Sequence, residues 1–231
     1  MNDIAKQAKP RKATFFDAAE SAGIAKILSV ALVDYPENDF IELLKDSEIT
    51  KTWHMNADTL EYTKGLHHLS MYIEQYSFEE LTRLKLDYGQ LYFGAGMPNA
   101  LPWGSCWLSE DQALNGDTTH ELAAFFRANE INVTLKENQP IDHMGIILAV
   151  ISQLLDIMVT GGEDGNKARL VLSILLSKHV LTWSDSFIAA SLTHANTHFY
   201  IGMAYLLKDL LDAISSELGV FPATHVTAIN Q

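Results

Sequence analysis

The sequence predicts an all-α fold, a single globular bundle of about ten helices, from three observations. Apolar residues recur at three- and four-residue intervals along nearly the whole chain. The breaks in this pattern coincide with residues that end or start helices, such as Pro36, Ser77 and Gly161. Finally, 48% of the 231 residues are apolar, which is enough to bury a core without disulfides or a structural metal.

The predicted helices follow one another through short connections. They span about 15–35, 38–45, 57–75, 77–92, 117–129, 140–158 and 164–179, one that begins at 182–184, and 198–218. Pro36 ends the first helix, because the residue before a proline is disfavoured in the α conformation. Ser77 and Glu80 have the spacing of a capping box. Gly161 and the glycine after it are typical of a helix C-terminus.

Two connections are less regular than the rest. Residues 94–104 combine Gly, Pro and Trp without any charge, which is incompatible with a regular helix and indicates a packed loop. Residues 131–135 alternate weakly and predict a short extended piece. We therefore predict a flexible N-terminus over 1–13, one helical domain over 14–219, and a flexible C-terminus over 220–231.

Charge and cysteine content limit the classes of partner and compartment. The formal net charge is −13, so phosphate backbones are repelled and nucleic acid is not an expected partner. A basic peptide would be attracted, although the charge could equally serve solubility alone. Cys106 is the only cysteine, which fits a reducing compartment. No secretory h-region and no stretch of membrane-spanning length is recognisable, so we expect a cytoplasmic protein.

Motifs for metal or phosphate binding are weak. His194 and His198 are four residues apart, but Ala195 stands where the zinc-protease pattern needs Glu, and 195–197 resembles a helix junction that would separate the rings. Neither the glycines of 94–96 nor those of 161–165 have phosphate-loop spacing. We expect no metal, no cofactor and no catalytic residue, with Cys106 as a small buried side chain.

The segment Pro140-Ile141-Asp142-His143 has two interpretations. Pro140 is suited to the first turn of a helix, where Asp142 would accept hydrogen bonds from free backbone amides. Alternatively, Asp142 offers its carboxylate to a cationic partner, with His143 beside it. The residues of this segment alone do not decide between the two.

Several motifs taken in order resemble the TorD/DmsD family, cytoplasmic chaperones of molybdenum enzymes that are exported by the twin-arginine pathway. They occur as YGQLYFG at 88–94, PWGSCWL at 102–108, GDTT at 116–119, PIDHMG at 140–145, and the Trp183 and His198 regions. The match covers about 88–207 well. The tryptophan loop is closer to the DmsD side of the family. Ile141 replaces the usual Glu, Leu101 replaces a Pro, and Gly96 stands where a Trp can occur, all of which bear on leader preference.

The resemblance implies a TorD-like helical fold, as a monomer or a domain-swapped homodimer, and recognition of a twin-arginine leader. By position, it implies a leader-binding role for Leu91, Gly116, Asp142 and His143, with Trp103 and Trp107 in the same region. A basic leader would meet Asp142, and its apolar segment would lie in a groove lined by the residues Leu91, Tyr92, Trp103 and Trp107.

The predicted function is a non-enzymatic cytoplasmic chaperone that binds the leader of a molybdenum-containing reductase precursor and holds back export until folding and cofactor insertion. Two alternatives stay open. One is an assembly factor that binds the mature enzyme body and assists molybdenum cofactor loading. The other is a nucleotide or metal hydrolase, although no phosphate cradle is recognisable. The sequence leaves the client enzyme, the oligomeric state and guanine nucleotide binding undecided.

Overall fold

The computed structural model describes residues 16–53, 59–94, 96–109, 111–133 and 139–224. Within these ranges the chain forms eleven α-helices and no strand, which confirms the predicted all-α fold. The helices are α1 Ala18–Val33, α2 Asn38–Asp46, α3 Ile49–Thr52, α4 Leu60–Glu74, α5 Phe78–Leu91, α6 Ser105–Leu108, α7 Asp117–Ala128, α8 Met144–Thr160, α9 Gly162–Leu175, α10 Ser184–His194 and α11 His198–Leu218. A π-helical turn, Leu176–Val180, continues α9.

The termini lie largely outside the described residues. This applies to the whole of the predicted flexible segment 1–13 and to 225–231 of the C-terminal one. Residues 220–224 follow α11, and the Ala223 amide donates to the Ser177 carbonyl oxygen at 2.8 Å. None of the described helices has both the length and the apolar character needed to cross a bilayer.

The core centres on α8, which packs mainly against α1 and α9, while α4 packs against α11. The α1–α8 contact is close because Gly145 has no side chain: a Cβ there would lie 2.5 Å from Val33 Cγ2 and 3.0 Å from the Ser29 carbonyl oxygen. Ser29 donates its hydroxyl to the Gly145 carbonyl oxygen at 2.6 Å. The start of α8 is therefore fixed against the end of α1, and this contact positions the site described below.

The predicted cap at the start of α5 is present: Ser77 accepts a hydrogen bond from the Glu80 amide, as the capping-box pattern indicates. Thr197 caps α11 in the same way, by accepting one from the Tyr200 amide, although only a helix junction was predicted there. Gly161 has a positive φ of 68° and ends α8 as predicted. These local signals worked because each involves residues within one turn of the helix they terminate.

One local prediction is wrong. Pro140 is not in the first turn of α8, which begins four residues later at Met144, because the chain before it pairs with another segment. The helix α10 begins at Ser184, within the predicted range, and its N-cap Trp183 makes no side-chain capping bond. The helix α7 begins at Asp117 as predicted, with Gly116 as its N-cap. The short helices α3 and α6 were not predicted.

Asp87 connects α5 to the start of α11. Its side chain is buried, and its Oδ2 accepts hydrogen bonds from the Thr197 hydroxyl at 2.6 Å and the Thr197 amide at 2.8 Å. The carboxylate also accepts from the Asn196 amide at 3.0 Å. A carboxylate favours a helix N-terminus because it satisfies free amides and opposes the positive end of the helix dipole.

Replacing Asp87 by Ala should lower the free energy of unfolding by about 3 kcal/mol, because buried amides and a hydroxyl would lose their acceptor. Urea denaturation followed by circular dichroism measures this change. Asp17→Ala is the matched control: Asp17 caps α1 through the Glu20 amide at an exposed site, and its loss should cost about 1 kcal/mol. Equal losses in the two variants would contradict a special role for Asp87.

Candidate functional site

The tryptophan loop, defined here as residues 101–108, is joined to the start of α8 by backbone pairing. Trp103 and His143 form an isolated antiparallel bridge. The Gly104 amide donates to the Asp142 carbonyl oxygen at 3.1 Å, and the Met144 amide donates to the Pro102 carbonyl oxygen at 2.7 Å. This pairing holds His143 in an extended conformation, after a turn in which the His143 amide donates to the Pro140 carbonyl oxygen at 3.4 Å, which explains why α8 cannot begin at Pro140.

Asp142 is buried, with only 4% of its surface accessible, and its carboxylate connects segments inside the protein. Its Oδ2 accepts hydrogen bonds from the Ser105 amide at 2.7 Å and the Thr119 hydroxyl at 3.0 Å. The carboxylate therefore caps α6 at its first residue, Ser105, and binds Thr119 of α7. It does not accept hydrogen bonds from amides of α8, the helix that follows it. The prediction of a cap was right in kind, but the capped helix is a different one.

The second carboxylate oxygen, Asp142 Oδ1, has no hydrogen-bond partner among the described residues. Asp142 also lines a crevice of about 10 Å³, together with Thr118, Lys178 and Trp183, which has room for roughly one water molecule. An arginine side chain does not fit into such a space. Direct contact between Asp142 and a leader arginine would need this crevice to open.

His143 is the N-cap of α8, and its Nδ1 accepts a hydrogen bond from the Gly145 amide at 3.1 Å. Its ring meets Trp103 edge to face, with 5.5 Å between centroids. Burial lowers the pKa of His143 from its ordinary value of 6.5 to about 3, because the charged imidazolium would lose its hydration. His143 is therefore a neutral acceptor at neutral pH.

A cleft of about 250 Å³ opens beside His143, between the ends of α1 and α5 and the tryptophan loop. We call it the aromatic cleft. Its lining residues are Val33, Asp34, Tyr35, Tyr88, Tyr92, Phe93, Trp103, Gln139 and His143. Tyr88 meets Tyr35 edge to face at 5.5 Å and Tyr92 at 5.8 Å between centroids, so the rings support one another. Tyr35 is 50% and Phe93 66% exposed, which leaves apolar surface open to a partner.

The residues predicted from the sequence divide into two groups. Tyr92, Trp103 and His143 come together in the aromatic cleft. The remaining four, Leu91, Trp107, Gly116 and Asp142, do not line it. Leu91 is fully buried behind the cleft. Trp107 packs within its own loop, where its Nε1 donates to the Leu101 carbonyl oxygen at 2.8 Å.

Tyr35, Tyr88 and Phe93 line the cleft but were not singled out as binding residues. Tyr88 stands in the YGQLYFG motif, which also ends beside Phe93, so that motif carried part of the signal. Tyr35 precedes Pro36, and the sequence indicates only that a helix ends there. Its place in the cleft follows from the α1–α8 contact, which no local pattern indicates.

Charged side chains lie at the cleft and beside its Tyr35 wall, and we call this region the rim. Asp34 lines the cleft. Glu37, the N-cap of α2, makes no side-chain capping bond, and its Oε2 lies 3.1 Å from Lys85 Nζ. The same ammonium group lies 5.4 Å from the centroid of the Tyr35 ring.

In the described part of the chain, no group of three or more His, Cys, Asp or Glu side chains is arranged to hold a metal ion. His194 ends α10 and His198 begins α11, so the predicted helix junction lies between them. The Nδ1 of His198 instead lies 2.7 Å from that of His68. Cys106 is buried as predicted, and burial, with a smaller contribution from Asp142, raises the pKa of its thiol to about 11.

Residues 56–189 match the family model described as nitrate reductase delta subunit. The chain belongs to the TorD/DmsD family. Among curated relatives, the Tat proofreading chaperone DmsD of Salmonella typhi is 25% identical over 199 residues, which cover 84% of this chain and 89% of the relative. The chaperone protein YcdY of Escherichia coli is 31% identical over 141 residues, covering 60% and 67%. The chaperone protein TorD of Vibrio vulnificus is 25% identical over 126 residues, covering 54% and 59%.

The comparisons confirm the resemblance that the motifs carried, including its closer relation to DmsD. The matched region contains the tryptophan loop, Asp142 and His143, and thus most residues of the aromatic cleft. Asp34 and Tyr35 lie outside the family match.

The burial of His143 predicts a pH dependence of stability. Its pKa is lower in the folded state, so the unfolded chain binds the additional proton, and stability is lost as the pH falls below 6.5. Between pH 7.5 and 5.0 this group should cost about 2 kcal/mol of unfolding free energy. His143→Asn keeps an N-cap acceptor without a titrating ring. Its unfolding free energy should therefore fall by about 2 kcal/mol less than that of the wild type between pH 7.5 and 5.0.

Urea denaturation at pH 7.5 and 5.0 measures, for each protein, the change in unfolding free energy between the two pH values, which we call its pH slope. His120→Asn, at an exposed position of α7, is the matched control and should keep the wild-type slope. If His143→Asn also keeps that slope, the imidazole is not the group responsible.

Proposed function

We propose that this protein is a chaperone that binds the twin-arginine leader of a molybdenum-containing reductase precursor and holds back its export until folding and cofactor insertion. The observation that carries the proposal is the aromatic cleft, with acidic groups at its rim, in a chain whose relatives are named Tat proofreading chaperones. Such a leader exists only before export, so we place the binding in the cytoplasm. The chaperone names of its relatives also favour binding over catalysis.

The cleft suits the apolar part of a leader. Its volume of about 250 Å³ accommodates one or two large side chains, and Phe93 in its lining presents an exposed aromatic ring. A leader must become ordered when it binds, which costs a few kcal/mol. Burial of its apolar side chains against these aromatic rings is the contribution that can offset this cost.

The charge distribution suits the basic part of a leader. A net charge of −13 accelerates the encounter with a cationic peptide by long-range attraction. We assign the short-range contacts to acidic groups at the rim rather than to Asp142, whose carboxylate is occupied by Ser105 and Thr119. Asp142 then acts on binding by holding the tryptophan loop in place.

Replacing Phe93 by Ser should weaken binding of a synthetic twin-arginine leader about ten-fold, because an exposed ring beside the cleft would no longer cover the apolar segment. Isothermal titration calorimetry measures the dissociation constant. Phe78→Ser is the matched control: Phe78 is 83% exposed at the opposite end of α5, roughly 20 Å away along the helix. Equal affinities of the two variants would argue against the aromatic cleft as the leader site.

Two substitutions at Asp142 separate a positioning role from direct contact. Asp142→Ala should lower both stability and leader affinity, because the Ser105 amide and the Thr119 hydroxyl lose their acceptor. Asp142→Asn keeps an acceptor oxygen and should retain most of both. The readouts are urea denaturation, near-ultraviolet circular dichroism of the tryptophans, and calorimetry with the leader. An Asp142→Asn protein of unchanged stability that binds as weakly as Asp142→Ala would establish a direct carboxylate–arginine contact instead.

A further inference from the structure

Lys85 makes two contacts beside the aromatic cleft. Its ammonium group lies 3.1 Å from Glu37 Oε2 and 5.4 Å from the centre of the Tyr35 ring, so an acidic group and an aromatic face hold one cation between them. Glu37 is 65% exposed at its side chain, and Lys85 28%. Because the Glu37 side of this ion pair is largely exposed, the pair contributes little to stability and Glu37 can change its partner at small cost.

We propose that Tyr35 and Glu37 form the subsite for a guanidinium group of the leader, and that Lys85 occupies this subsite in the free protein and is displaced on binding. The inference rests on the proposed leader-binding function and names the cationic group that the rim recognises. Lys85 thus acts as a built-in competitor that sets how tightly an arginine-containing leader is held.

The chemistry of the subsite favours arginine over the resident lysine. A carboxylate can accept two parallel hydrogen bonds from the planar guanidinium, whereas an ammonium group binds it as a point charge without this fixed geometry. Guanidinium is also more weakly hydrated and stacks flat on an aromatic ring. Tyr35 and Glu37 provide these two kinds of partner side by side. A leader arginine that displaces the Lys85 side chain therefore gains a second hydrogen bond and ring stacking.

The location of the subsite suits a leader in which arginines precede an apolar segment. Tyr35 is a wall of the aromatic cleft as well as the ring beneath Lys85. A peptide with a guanidinium on Tyr35 can therefore place the residues that follow in the cleft. Asp34 lines the cleft next to this ring, and Asp39 lies exposed in the first turn of α2, so the surroundings remain favourable for a second cation.

Displacement of Lys85 predicts a measurable change in arginine selectivity. Two leader peptides are compared by calorimetry, one with the arginine pair and one with both arginines replaced by glutamine. Lys85→Met removes the competitor, so it should tighten binding of the arginine peptide about three- to ten-fold and leave the glutamine peptide unchanged. Tyr35→Leu should reduce the preference for the arginine peptide, whereas Tyr35→Phe keeps the aromatic face and should preserve it.

Lys64→Met is the matched control, because Lys64 lies over another ring, that of Tyr205, at 5.1 Å. It removes the same charge and the same kind of contact from a different surface. If Lys64→Met and Lys85→Met change the arginine preference equally, the effect is one of net charge and the subsite is refuted while leader binding stands. Wild-type protein that binds both peptides equally also refutes the subsite alone. Wild-type protein that binds neither peptide overturns the proposed function itself.

Discussion

The pairing of the tryptophan loop with the start of α8 is the constraint on which the rest of the site depends. Two backbone hydrogen bonds and one buried carboxylate join segments that are about forty residues apart in the chain. Because Gly104 and Met144 both use their amides across this pairing, Trp103 and His143 are held face to edge at the wall of the cleft. Without it, neither ring would have a fixed position relative to α5.

A second constraint brings the acidic rim to the same place. The close α1–α8 contact at Gly145 sets the end of α1 next to His143, so the chain that leaves α1 delivers Asp34 and Tyr35 to the cleft. Tyr35 is then supported by Tyr88 from α5. The cleft is thus assembled from the ends of three helices and one loop, and its aromatic lining is held by helix packing rather than by the loop alone.

The sequence predicted the nine longer helices among the described residues and many of their ends because these depend on local periodicity and capping, as at Ser77 and Gly161. Motifs of the family also predicted three of the residues that line the aromatic cleft, namely Tyr92, Trp103 and His143. The sequence could not reveal that Asp142 caps α6, since its partners Ser105 and Thr119 lie 37 and 23 residues away. The start of α8 was misplaced for the same reason: a long-range bridge overrides the local preference of Pro140 for a first helical turn.

The acidic residues of this site divide by burial into two roles. A buried carboxylate such as Asp142 is held by amide and hydroxyl donors, and exposing it to an arginine would first require breaking those bonds. An exposed carboxylate such as Glu37 can exchange one cation for another with little loss of hydration. Because a precursor has to be released after it has been held, exchangeable contacts at the rim are better suited to direct recognition, and the buried acid is better suited to keeping the cleft in shape.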